Sequence, residues 1–176
     1  MRAIAVVIVA ALCGSCAWRD TPRDGSATEA GSAVVLHPID GDTIEVRVAG
    51  SVERVRLIGI DTPESVARDR PVECFGPEAK TRTAELLPEG TEVRLERDIE
   101  ARDRYDRLLA YVFRASDGAF INLLLVEEGF AEADAFAPNV TRQAELDRAE
   151  SAARAAERGL WPVCGGTDLP TGAPPG

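Results

Sequence analysis

Residues 43–60 read TIEVRVAGSVERVRLIGI. From Thr43 to Val48 polar and apolar side chains alternate, the two-residue period of a strand with one buried face. Ala49-Gly50-Ser51 makes a turn, and Val52 to Ile60 returns as the partner strand. One residue interrupts the apolar run from Val55 to Ile60: Arg56. By strand alternation it shares a face with Ile58 and Ile60, and burying an unpaired guanidinium is costly. Arg56 therefore needs an anion, supplied by the protein or by a ligand.

Outward from this hairpin, Val34 to His37 opens the sheet, and Thr91 to Glu96 and Leu108 to Arg114 are two further strands. Pro77, tolerated in a first helical turn, starts a helix that runs to about Leu87 before Pro88. Asn122 to Glu128 is a short helix stopped by Gly129. Thr141 to Arg158 is the best helical stretch, capped by Thr141, rich in Ala, Glu and Arg, and ended by Gly159 and Pro162. Five short strands interleaved with three α-helices is an α+β pattern that fits a small OB-type β-barrel with helices packed on it.

The 176 residues suit one domain, and 45% hydrophobic with 28% charged residues is a globular composition. The formal net charge of -10 argues against a surface made broadly for polyanions, and the few aromatics leave little material for base stacking. Residues 1–16, MRAIAVVIVAALCGSC, carry Arg2, an apolar run from Ala3 to Leu12 and then small residues, the pattern of a signal peptide. The run falls short of the roughly 20 residues that span a bilayer. Cleavage after a small residue and a lipoprotein signal with lipid on Cys16 both stay open, the lipobox fit being loose because Leu12 stands four residues before Cys16. Either way the chain is expected to be exported, to the periplasm, the outer envelope or the medium. Residues 17–32 read as a flexible linker, 33–164 as the folded domain and 165–176 as a Gly/Pro-rich disordered tail. With Cys16 lipidated, Cys74 and Cys164 remain, and an oxidising compartment favours a disulfide between them; two separate buried thiols is the alternative. Monomer is the default expectation.

Four clusters carry chemistry. They are Asp40-Gly41-Asp42-Thr43 before a strand, Arg56 within one, Asp61-Thr62-Pro63-Glu64 at its end, and RDRYDR over Arg102–Arg107. Each has a bland reading: Asp-Gly as a solvated turn, Asp-Thr-Pro-Glu as a strand end, and RDRYDR as a self-paired charge run. Together they describe a phosphoryl-transfer site. Hydrolysis of a phosphodiester needs a cation on a phosphate oxygen, positive charge as the transition state forms, and a base to orient water. Asp42 and Asp61 are hard oxygen ligands for Ca2+ or Mg2+, with the Thr62 carbonyl as a third. Arg56 and Arg107 can hold phosphate oxygens bidentately. Glu64, three residues beyond Asp61, is placed to activate water.

The order DGDT, an arginine in an apolar strand, DTPE, FGPEA and DRYDRLLAYV resembles the staphylococcal nuclease (thermonuclease) family over roughly Ala33 to Trp161. The resemblance implies an OB-fold barrel with three helices and calcium-dependent cleavage of DNA and RNA. By position it gives Asp42, Asp61 and Thr62 the metal site, with Asp40 as an outer partner. It gives Arg56 and Arg107 the phosphate contacts and Glu64 the role of general base or water positioner. Tyr105 matches an aromatic near the substrate.

Two departures stand out. Asp106 occupies a position where the family has glycine; aspartate can adopt a left-handed backbone at some cost compared with glycine, and it sets a negative charge beside Arg107. Asp134-Ala135-Phe136 replaces a stretch in which the family has two tyrosines at its nucleotide pocket, which puts base contacts in question. The single lysine, Lys80, leaves the arginines to bind polyanion, so binding weaker than in a basic relative, and strongly sensitive to ionic strength, is expected. His37 is a poor catalytic candidate, Leu123 to Val126 reads as core, and Trp161, Phe130 and Phe136 read as packing residues. The leading function is a metal-dependent endonuclease. A non-catalytic OB-type module for nucleic acid or an envelope protein is the alternative, weakened because every metal carboxylate and both arginines are present.

Overall fold

The computed structural model describes residues 31–65 and 72–167. Five strands close a barrel in the order β1-β2-β3-β6-β5: β1 Gly31–Pro38, β2 Thr43–Val48, β3 Ser51–Leu57, β5 Glu92–Glu96 and β6 Leu108–Arg114. Neighbours are antiparallel except β3 and β6, which run parallel with Val55 opposite Leu108 and Leu57 opposite Ala110. A second, two-stranded sheet joins β4, Ile60–Asp61, to β7, Glu132–Ala133. Helices α1, Gly76–Leu86, α2, Ile121–Glu127, and α3, Gln143–Ala155, pack outside the barrel. A short α4, Leu160–Val163, makes a fourth helix where three were expected. The α+β barrel read from the pattern is the observed architecture.

Alternation dictates the barrel interior. Val35, Ile44, Val46, Val55, Leu57 and Val93 are buried completely or nearly so. The LLAYVF run of β6 is buried at every position, because the face turned away from the barrel is covered by α2 and by Leu146 and Ala149 of α3. A strand covered on both sides reads as a continuous apolar run instead of an alternating one. Asn122, buried in α2, stitches these layers: its Oδ1 accepts from the Val112 N–H at 2.9 Å and its Nδ2 donates to the Ile58 carbonyl at 2.9 Å.

Several boundaries differ from the sequence reading, each for a local reason. The strand expected to reach Ile60 stops at Leu57, since Gly59 turns the chain with φ +79° and Ile60 begins β4. Arg56 consequently does not share a strand face with Ile58 and Ile60. Thr141 does not cap α3. Its Oγ1 donates to Asp98 at 2.8 Å, and the helix begins two residues later with Arg142 at the N-cap. The helix ends at Ala155, and Pro162 sits inside α4. Strand β1 takes in Gly31 and Ser32, opposite Leu95 and Arg94, which the sequence placed in a linker. Of the packing aromatics, Trp161 is buried and Phe130 lies 5.4 Å from Phe75 between ring centres, but Phe136 is 74% exposed and packs in no core.

The end of the chain is tied to the middle. Cys74 and Cys164 form a disulfide across 90 residues, beside a small cluster of Ala153, Leu160, Trp161 and Phe75. No helix among the described residues is long and apolar enough to cross a membrane. The signal-peptide and lipid assignments, Cys16 included, lie outside the described residues.

Two stability predictions follow from this packing. Replacing Cys74 and Cys164 with serine, or reducing the bond, lowers unfolding free energy by about 2–5 kcal/mol, read from urea melts with and without reductant. Unchanged midpoints would mean the loop is held shut by packing alone. Burial pushes the Tyr111 hydroxyl up to about 12, with Asp98 as its acceptor adding to the rise. An acid whose pKa is raised by folding stabilises the fold below its unfolded value and loses that contribution as pH climbs through the folded one. Stability therefore falls between pH 10 and 12, and Tyr111→Phe flattens that limb in a pH series of thermal melts.

Candidate active site

The loop joining β1 to β2 is built from its own backbone and two carboxylates. The Ile39 and Asp40 N–H groups both donate to the Thr43 carbonyl. Asp40 Oδ1 accepts from the Gly41 N–H at 2.9 Å and from the Ser65 hydroxyl at 2.6 Å, joining this loop to the segment after β4. Asp42 Oδ2 accepts from the Thr62 N–H at 3.2 Å and the Thr62 hydroxyl at 3.1 Å. Only glycine fits between them: a Cβ at Gly41 would lie 2.6 Å from Thr62 Oγ1 and 3.0 Å from the Ala79 Cβ. Helix α1 grips the loop through Thr83, whose hydroxyl donates to the Gly41 carbonyl at 2.5 Å.

Arg56 finds its anions in the protein. Its Nη1 pairs with Asp42 Oδ2, and its Nη2 donates to Asp61 Oδ1 at 2.8 Å. Burial works against the charge, but the carboxylates of Asp42 and Asp61 more than offset it, and the guanidinium pKa is raised. Past Asp61 the chain runs through Thr62 to Glu64, whose backbone is clasped by Glu73. The Glu64 N–H donates to Glu73 Oε2 at 2.7 Å and the Glu73 N–H to the Glu64 carbonyl at 2.9 Å. Gly76 lets this clasp close, since a Cβ there would stand 2.5 Å from the Glu64 carbonyl oxygen.

The second arginine is set by a loop that Asp103 organises. Its Oδ1 accepts from the backbone N–H groups of Tyr105 and Arg107, both at 2.9 Å, while Oδ2 takes the Arg107 Nε at 2.7 Å. Burial raises the Asp103 pKa, but these bonds, the Arg107 side chain foremost, hold it below the usual carboxylate value. With its Nε anchored on Asp103, Arg107 borders the cavity. Asp106 adopts φ +64°, the left-handed conformation its position demands. Its side chain is 86% exposed and faces Arg102 at 3.4 Å.

Asp40, Asp42, Arg56, Asp61, Thr62, Glu64, Tyr105 and Arg107 thus line one cavity of about 420 Å³, with Arg54 and Glu73. Cys74 and Cys164 stand apart as the disulfide. Sequence reading missed Asp103, Glu73, Ser65 and Arg54. The four-residue spacing of Asp103 and Arg107 was the available signal, hidden within what read as a charge run. Tyr105 is 65% exposed and, with Phe136, borders a neighbouring apolar cavity of about 710 Å³ over Leu57 to Ile60.

Among the described residues no three His, Cys, Asp or Glu side chains form a ready-made metal cluster. The donor chemistry nonetheless fits a hard cation. Asp42 and Asp61 direct oxygens at one point, where Arg56 lies. Five carboxylates line the cavity against three guanidiniums, an excess equal to one divalent cation.

Residues 54–163 match the family model described as staphylococcal nuclease homologue. The chain is 39% identical over 127 residues to a thermonuclease of Staphylococcus hyicus, covering 72% of this chain and 73% of that protein. It is 38% identical over 144 residues to a thermonuclease of Staphylococcus intermedius, covering 81% and 84%. To the endonuclease YncB of Bacillus subtilis (strain 168) it is 33% identical over 147 residues, covering 82% and 68%.

The left-handed Asp106 yields a prediction. Its exposed pairing with Arg102 is worth little, whereas a non-glycine residue in this conformation costs about 1 kcal/mol. Asp106→Gly should therefore raise stability by up to about 1 kcal/mol in urea unfolding. A loss of stability instead would show that the Arg102 contact outweighs backbone strain.

Proposed function

The chain belongs to the staphylococcal nuclease family, and on that footing we propose that it is a metal-dependent endonuclease hydrolysing phosphodiester bonds of DNA or RNA. The observation that carries this reading is the convergence of two carboxylates, two arginines and Glu64 on one cavity, from four separate segments of the chain.

In this reading Asp42, Asp61 and the Thr62 carbonyl would hold a divalent cation, Ca2+ before Mg2+, which would supply positive charge to a phosphate oxygen. The residues do the rest. Arg107, its Nε fixed by Asp103, offers both Nη groups to phosphate oxygens and meets the charge that grows on them as the bond breaks. Arg56 is the second such contact, bound to the same carboxylates that serve the cation. Glu64 orients a water and takes its proton, and the backbone clasp with Glu73 keeps it at the cavity wall. Tyr105 and the exposed Phe136 give a base or sugar an apolar surface beside the clamp. Export is part of the proposal: the apolar run after Arg2 supports it, and so does a disulfide, which persists in oxidising compartments. The lipid on Cys16 would hold the domain at the envelope.

The test is cleavage of single-stranded DNA and RNA with Ca2+, with Mg2+ and with chelator, alongside Glu64→Gln and Arg107→Ala. Metal-dependent cutting is expected, falling about 10²–10⁴-fold in each variant at unchanged melting temperature. A folded, disulfide-bonded protein that cuts nothing in either metal would overturn the proposal.

A further inference from the structure

Arg54 lines the same cavity as the two arginines of the clamp, yet neither the motifs nor the proposed chemistry uses it. It precedes Arg56 by two residues on β3, so both side chains leave the same strand face, about 6.6–7 Å apart. Across the barrel seam Val55 pairs with Leu108 in parallel, and the residue before each, Arg54 and Arg107, lines the same cavity. Three guanidiniums therefore border it.

Their charges are not balanced alike. Asp42 and Asp61 answer Arg56, and Asp103 answers Arg107. Arg54 is exposed, and no carboxylate of a described residue lies within ion-pair distance of it. Its cross-strand neighbour on β2 is Glu45, whose carboxylate stands 3.8 Å from His37 Nδ1. Like charges set side by side on a sheet oppose folding, and a solvated arginine adds little to stability. A surplus cation kept in that position on an acidic chain is explained by an anion that arrives from outside.

Resting on the endonuclease reading, we propose that Arg54 binds the phosphate next to the scissile one, extending the clamp along β3 by one nucleotide toward the β2–β3 turn. The substrate class this selects is a polynucleotide, for which a phosphate beyond the cleaved bond is always present. A mononucleotide ester has none to offer. The acidic surface elsewhere then confines polyanion binding to this cavity.

The experiment measures binding of a single-stranded DNA 12-mer as a function of salt, in Ca2+ and in a Glu64→Gln background that prevents cleavage. Removing one phosphate contact lowers the slope of log affinity against log salt by about 0.7 for a single strand. Arg54→Ala is expected to show that drop, and Arg54→Lys, which keeps the charge, to restore the slope. Both variants are checked for an unchanged melting temperature. In the cleaving enzyme, Arg54→Ala raises KM for the 12-mer by more than it does for a dinucleotide, with kcat moved less than KM. An Arg54→Ala slope equal to that of the parent overturns the inference while leaving the nuclease intact. Equal losses in the alanine and lysine variants overturn it too, since they would reflect local shape instead of charge. No binding by the parent, together with no cleavage, overturns the nuclease reading on which it rests.

Discussion

The guanidinium of Arg56 lies almost out of water, between Asp42 from the β1–β2 loop and Asp61 from β4. A charge in such a place is tolerated only while its partners stay put; withdrawing one partner from a buried pair costs about 3–5 kcal/mol. That constraint fixes more than a side chain. Asp42 is also held by Thr62, and Asp40 by Ser65, so the loop, the end of β3 and the segment leading to Glu64 must adopt one mutual arrangement. The hydrophobic barrel makes the platform, and this polar knot decides which groups face the cavity.

Charge is distributed unevenly over the molecule. Overall the chain carries a net charge of -10, but arginines are brought to one cavity by the parallel pairing of β3 and β6. In a parallel pair the residues that start β6 lie beside those in the middle of β3, which is why residues more than fifty apart in sequence stand together. Five carboxylates line the same cavity. A cavity that carries both acids and guanidiniums can hold a cation and an anion at once, which is what a metal-assisted attack on a phosphodiester requires.

Much of this was legible beforehand. The alternation from Thr43 to Val48, the glycine turn and the unbroken run of β6 give the barrel, because burial leaves a period in the sequence. Arg56 was legible as a charge with no reason to sit in an apolar strand unless paired, whereas the aspartates stood out only through the combined pattern. What stayed hidden depends on chain direction after a turn. Gly59 splits an apparently continuous strand, so alternation stopped predicting which face Ile58 and Ile60 take. Thr141 carries a good capping side chain but spends it on Asp98, a partner 43 residues away. Phe136 has a core residue's composition and a surface residue's exposure. Arg54 was not singled out and Asp103 stood only as part of the RDRYDR run, since their neighbours are set by register and loop closure.

The disulfide has a meaning beyond its contribution to stability. Cys74 immediately follows Glu73, the residue whose backbone and carboxylate clasp Glu64, so the bond to Cys164 anchors the far end of the segment that carries the proposed base. Thiols stay reduced in the cytosol and join in oxidising compartments. Under the proposed function, the covalent latch on the working part of the site closes only outside the cytosol. On that proposal, the same two cysteines would leave the segment that clasps Glu64 looser until the chain reaches an oxidising compartment.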